Sequence, residues 1–67
     1  MNYSEEYDGN KRFIRYKEGA DWYSLSQSTF ERRAKEAGAV MKIGKVALVD
    51  RKIFERYLEL FRMPSQM

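Results

Sequence analysis

Apolar side chains recur along this chain in helical and strand-like rhythms, and each rhythm marks out an element. Tyr16, Ala20 and Tyr23 fall at i, i+4 and i+7, one face of a helix predicted over about Tyr16 to Ser24. Phe30, Ala34 and Ala37 repeat the helical spacing, with Ser26 before them as an N-cap and Gly38 after them as a left-handed stop. A second helix is therefore predicted to about Ala37. Val40 to Ile43 and Val46 to Val49 are strand-like runs on either side of Gly44-Lys45, which suits a type II′ hairpin turn with glycine at its first central position. Asp50 then caps a third helix from Arg51 to about Arg62, stopped by Pro64. Upstream, Phe13-Ile14-Arg15-Tyr16 alternates and is either a short edge strand or the lead-in to the first helix.

The expected fold class is α+β: a small winged helix-turn-helix of three helices with a two-stranded β-hairpin wing, to which Phe13 and Ile14 can add a short N-terminal strand. Residues 13–63 make the domain. Residues 1–12 read as a polar, acidic, disordered tail and 64–67 as a C-terminal tail. On the second helix, Ser28, Arg32 and Lys35 lie opposite the apolar stripe, with Thr29 and Glu36 on one flank and Glu31 on the other. On the third, Ile53, Phe54, Tyr57, Leu58, Leu60 and Phe61 cover an arc of roughly 160°, too wide for a lone stripe. Phe13 and Tyr16 are expected to cover the excess at Leu60 and Phe61; left bare, it would be a dimer or partner surface. Gly19 costs its helix about 1 kcal/mol relative to alanine, which suggests close approach of another backbone or a tolerated weakness.

With 67 residues the chain has room for one thin core, and a stability on the order of 3–5 kcal/mol is expected. It has no cysteine and no histidine, which excludes disulfides, thiolate or imidazole zinc sites and any nucleophile–imidazole pair. No cofactor is expected. Asp21, Glu31, Glu36 and Glu55 are scattered over solvent faces, so catalysis is not expected either. No apolar run approaches the roughly 18–20 residues that span a bilayer, and no signal-peptide core follows the N-terminus; a cytoplasmic protein is expected. The net charge of +3 hides a polarity. Glu5, Glu6 and Asp8 stand in the first nine residues without a base, so residues 10–67 set 13 bases against 7 acids, or +6. Such a domain attracts polyanions.

Taken together, these residues resemble the excisionase-like winged helices related to the DNA-binding domains of the MerR group. The resemblance is carried by Glu18-Gly19-Ala20-Asp21-Trp22-Tyr23-Ser24-Leu25-Ser26-Gln27-Ser28-Thr29, then Gly38, then Lys42-Ile43-Gly44-Lys45, then Phe54-Glu55-Arg56-Tyr57-Leu58, and covers about residues 13–61. It implies a small accessory protein of a mobile genetic element that binds and bends double-stranded DNA beside a tyrosine integrase, with transcriptional regulation as a further role and cooperative self-association on DNA. It places Ser28, Thr29 and Arg32 where the recognition helix faces the bases, and Lys42 and Lys45 on the wing. Three departures stand out: Arg15 replaces a capping threonine, Gly19 and Ser24 replace the usual alanine and glycine, and Val46-Ala47-Leu48-Val49 is apolar where relatives carry arginine.

The residues taken singly agree on candidates. Arg32 can fork onto a guanine edge or pair with Glu36 at i+4. Gln27, Ser28 and Thr29 can donate from a helix N-terminus, or simply cap it. Arg33 and Lys35 suit phosphate or solvent, and Lys42, Lys45, Arg51 and Lys52 form a basic cluster at the hairpin and the next helix start. Trp22, on the far side of its helix, is either a contact residue for a partner or a DNA sugar, or a ring folded back on an arginine or lysine stem, with the latter favoured. The alternative is a protein-interaction module of a recombinase or regulator complex. RNA binding lacks both an aromatic sheet signature and a Gly-x-x-Gly loop.

Overall fold

Val40–Ile43 (β2) and Val46–Asp50 (β3) pair antiparallel, with Ile43 opposite Val46 and Val40 opposite Val49, in a computed structural model that describes residues 11–64. The turn between them has Gly44 at φ +60° and no positive φ at Lys45, as a type II′ turn requires. Phe13–Ile14 (β1) adds to the other side of β3, with Phe13 opposite Asp50 and Ile14 opposite Val49, so the sheet order is β1-β3-β2. The N-terminal alternation is thus an edge strand, and it runs within one residue into a helix, Tyr16–Trp22 (α1). Gln27–Glu36 (α2) follows before the hairpin, and Arg51–Leu58 (α3) after it. The fold is a small α+β unit with three helices and a three-stranded antiparallel sheet, as a small winged helix has. The acidic run at Glu5, Glu6 and Asp8 lies outside the described residues, as do residues 65–67.

Both helices of the helix-turn-helix end the same way. After α2, Gly38 turns left-handed at φ +70°, its N–H donates to Lys35 and that of Ala39 to Ala34. After α1, Ser24 turns left-handed at φ +58°, its N–H donates to Asp21 and that of Leu25 to Ala20. These are two Schellman motifs. This explains why α1 stops at Trp22 instead of reaching Ser24: the turn captures the last carbonyls two residues early. Serine pays a steric cost there that glycine does not. Ser24→Gly is expected to stabilise the domain by about 1 kcal/mol, read as a raised urea midpoint with an unchanged m-value; a lowered midpoint refutes it.

The core is Ile14, Ala20, Phe30, Ala34, Ala39, Val49 and Phe54, all buried. Phe30 and Phe54 meet edge to face with centroids 4.9 Å apart, and Tyr23 packs against both. What approaches Gly19 is the ring of Phe30, a side chain and not a backbone. Ser26 caps α2 through Thr29 N–H at 3.1 Å, and Asp50 caps α3 through Lys52 N–H at 3.0 Å. That last helix is shorter than expected: it gives way at Glu59–Phe61 to a 3-10 turn, the usual tightening where end carbonyls lack partners.

The expectation that Phe13 and Tyr16 cover the end of the third helix is corrected. Phe13 is spent on the sheet beside Asp50, and Tyr16 lines a groove facing the wing. Among the described residues, Phe61 sets its ring against Tyr57 and the Arg33 guanidinium. Leu60 stays 79% exposed, Phe61 55% and Met63 78%.

Candidate nucleic-acid interface

Burial sorts the polar positions of α2. Phe30 and Ala34 point inward, so Ser28, Arg32 and Lys35 project outward and are exposed. Arg32 makes no hydrogen bond or ion pair with any described residue; the alternative pairing with Glu36 is not formed, and Glu36 feels its charge only at longer range. Glu36 instead takes Arg33 Nη1 at 2.9 Å and accepts from the Tyr57 hydroxyl. The Tyr57 bond first, and the Arg33 bond second, hold that carboxyl below its ordinary range. Lys35 bridges to Glu31 at 3.2 Å across one turn, an exposed pair of small energetic weight.

Thr29 and Arg33 lie on the flank that faces α3. Thr29 Oγ1 accepts from the Ser26 hydroxyl at 2.8 Å. Both line an apolar cleft of about 240 Å³ with Leu25, Tyr57, Leu58 and Phe61. The structure therefore separates them from Ser28 and Arg32, beside which the sequence resemblance sets Thr29.

The opposite flank of α2 opens onto the wing. Gln27, the first residue of α2, lines a shallow groove of about 310 Å³ together with Arg15, Tyr16 and Lys17 from the start of α1 and Lys42, Lys45 and Ala47 from the hairpin. Four of those seven side chains are cationic and none is acidic. Arg15, Lys17, Lys42 and Lys45 are all exposed, and none has a side-chain hydrogen bond or ion pair to a described residue. The nearest carboxylate by sequence, Glu18, is drawn to Lys11 Nζ at 2.7 Å and to the Arg15 backbone N–H at 3.0 Å. Those two bonds hold it below its usual range.

Gln27, Lys42 and Lys45 are thus brought together as candidates. Arg15 and Lys17 were missed by sequence reasoning. The available signal was Arg15 itself: it holds an N-cap position yet has no acceptor with which to cap.

Arg51 leaves the basic cluster to which the sequence assigns it. Only 5% exposed, it donates to the Tyr23 hydroxyl at 3.2 Å, to the Lys11 carbonyl at 2.8 Å and to Glu55 at 2.9 Å. Its guanidinium lies 4.1 Å from the centroid of Trp22, which accounts for that exposed ring as an arginine-stacked one. Burial first, then donation to Glu55, pushes the Tyr23 hydroxyl well above its ordinary value, so it stays a donor at any physiological pH.

The remaining chemistry is that of a cationic surface. Guanidinium, ammonium, amide and phenol donors around a groove with no carboxylate among its described lining residues suit phosphate oxygens. Among the described residues no cluster of acids could hold a metal ion, and no helix is long and apolar enough to cross a membrane. Residues 11–61 match a protein family of unknown function, DUF6462, and the chain belongs to it. No curated protein and no solved structure matches the chain.

Proposed function

We propose that this member of the DUF6462 family binds double-stranded DNA in a sequence-specific way, with α2 as the recognition helix and the hairpin as a wing. One observation carries the reading. The outward face of α2 presents Ser28 and Arg32 exposed and without a bonded partner among the described residues, next to a cationic groove, while its neighbour Arg33 on the same helix is tied to a carboxylate. A helix that keeps one arginine free in the middle of its solvent face has the geometry to enter a major groove. The finer role is an excisionase-like accessory factor that bends DNA beside a tyrosine recombinase, with transcriptional regulation as a second output. It rests on the sequence resemblance.

Selection of bound sites from a random duplex library tests the reading, followed by salt titration of the winner and a scrambled control. A recovered motif with a log–log slope near −4 to −6 is expected, about that many phosphate contacts. Failure to retain any duplex at low salt overturns it. Arg32→Ala is expected to weaken the selected site by about 1–3 kcal/mol and to leave scrambled DNA nearly unaffected. Equal loss on both duplexes removes the base-reading role.

A second reading, a protein-docking module, is favoured by Leu60, Phe61 and Met63, which stay bare beside an apolar cleft. Binding that depends weakly on salt and ignores DNA would select it.

A further inference from the structure

The geometry points to the groove between α1, α2 and the wing as a seat for the sugar–phosphate backbone of bound duplex DNA, anchored by Arg15 and Lys17. The inference rests on the DNA reading above and adds to it a site, its ligand chemistry and two residues outside the recognition helix and wing. Three features of the chain converge there. At the start of α1 the N-cap position prefers Ser, Thr, Asp or Asn, whose oxygen satisfies a free amide. Arg15 holds that position with no side-chain cap bond, and Glu18 alone reaches back to its backbone N–H. The arginine side chain has no acceptor to offer that helix end, and Arg15 instead lines the groove.

The wing supplies the opposite wall. Lys42 and Ala47 are cross-strand partners, and both line the groove with Lys45. Val46, Ala47 and Leu48 of β3 are partly buried and Val49 and Asp50 buried, whereas β2 is exposed from Met41 to Ile43. The apolar strand is therefore the inner support of the wing, and its cations belong to β2 and the turn. Four like charges with no carboxylate among the described lining residues repel one another, and an anion threading between them removes that repulsion. A phosphodiester backbone fits this better than a base edge does, because ammonium and guanidinium groups on separate elements follow a line of charge and read no sequence. The wing then grips the backbone next to the groove that α2 enters, and the helix alone carries discrimination.

The test compares Arg15→Gln/Lys17→Gln with wild type and with Arg56→Gln/Arg62→Gln, two exposed cations at and just beyond α3, outside the groove. Each protein is titrated against the selected duplex and its scrambled version across salt. The groove variant is expected to bind both duplexes on the order of 60-fold more weakly at 0.1 M salt, with a slope shallower by about two; the control is expected to lose less than about threefold. Arg15→Lys/Lys17→Arg keeps the charge and is expected to retain wild-type slope, which separates charge from any effect on folding. Wild-type binding by the groove variant, or equal loss in the control, overturns the seat while leaving the DNA reading intact. No duplex binding by wild type brings down both.

Discussion

Gly19→Ala is expected to cost the domain about 2–3 kcal/mol, the range of an overpacked core, although alanine is the better helix former by about 1 kcal/mol. A methyl group at this position would fall inside the contact distance of three ring atoms of Phe30. That ring cannot step aside cheaply, since it is fully buried and held between Tyr23 and Phe54. With a total stability on the order of 3–5 kcal/mol, the variant would keep only about 0–3 kcal/mol, a large share of its margin lost. Urea denaturation of both proteins reads the sign directly, and a stabilised variant would show that the ring yields. Gly19→Ala combined with Phe30→Leu is expected to recover part of the loss, a non-additivity that assigns the clash to this pair.

The elements were legible because their boundary chemistry is local. Ser26, Gly38, Gly44 and Asp50 each act within a few residues of their own position, and each does in the structure what its type dictates. Two boundaries moved for equally local reasons. Ser24 closed α1 early in a conformation that serine seldom adopts, and the 3-10 turn shortened α3. Less legible were the long-range pairings. Nothing in the order of residues shows that Arg51 turns inward to Tyr23, Glu55 and the Lys11 carbonyl, because its partners lie up to 40 positions away. It therefore read as one more surface cation. Arg15 and Lys17 were missed for the converse reason: they join the wing lysines only once β1 has paired with β3 and brought the start of α1 alongside the hairpin. Lys11 and Arg12, part of the tail on pattern alone, are tied to Glu18 and Asp50. Periodicity detects faces, and it carries no information about which solvent-facing charges have been spent on one another.

Asp50→Ala is expected to cost about 2–4 kcal/mol, since one side chain performs two tasks. It accepts the Lys52 N–H as the cap of α3, and it takes both Nε and Nη2 of Arg12 at 3.1 Å from 38 residues away. The pair is largely shielded from water, with side-chain exposures of 9% for Asp50 and 21% for Arg12, so the interaction is screened far less than a surface bridge. Asp50→Asn keeps a capping acceptor and removes the charge, so it is expected to lose less than alanine does. The pH dependence separates the two tasks further. Burial pushes the Asp50 carboxyl up, but the bond and charge of Arg12 and the two cap amides outweigh it and hold it below its usual value. A depressed carboxyl binds its proton more readily in the unfolded chain. Its stabilisation is therefore present above about pH 4, the unfolded value, and is lost as pH falls through the lower folded one. The gap in unfolding free energy between wild type and Asp50→Asn is accordingly expected to stay level from neutral pH down to about pH 5 and to narrow below about pH 4. A gap that holds constant to low pH would mean that the charge adds nothing and the cap alone matters. Narrowing would establish that Arg12–Asp50 fastens β1 to the start of α3, the attachment from which Arg15 reaches the groove.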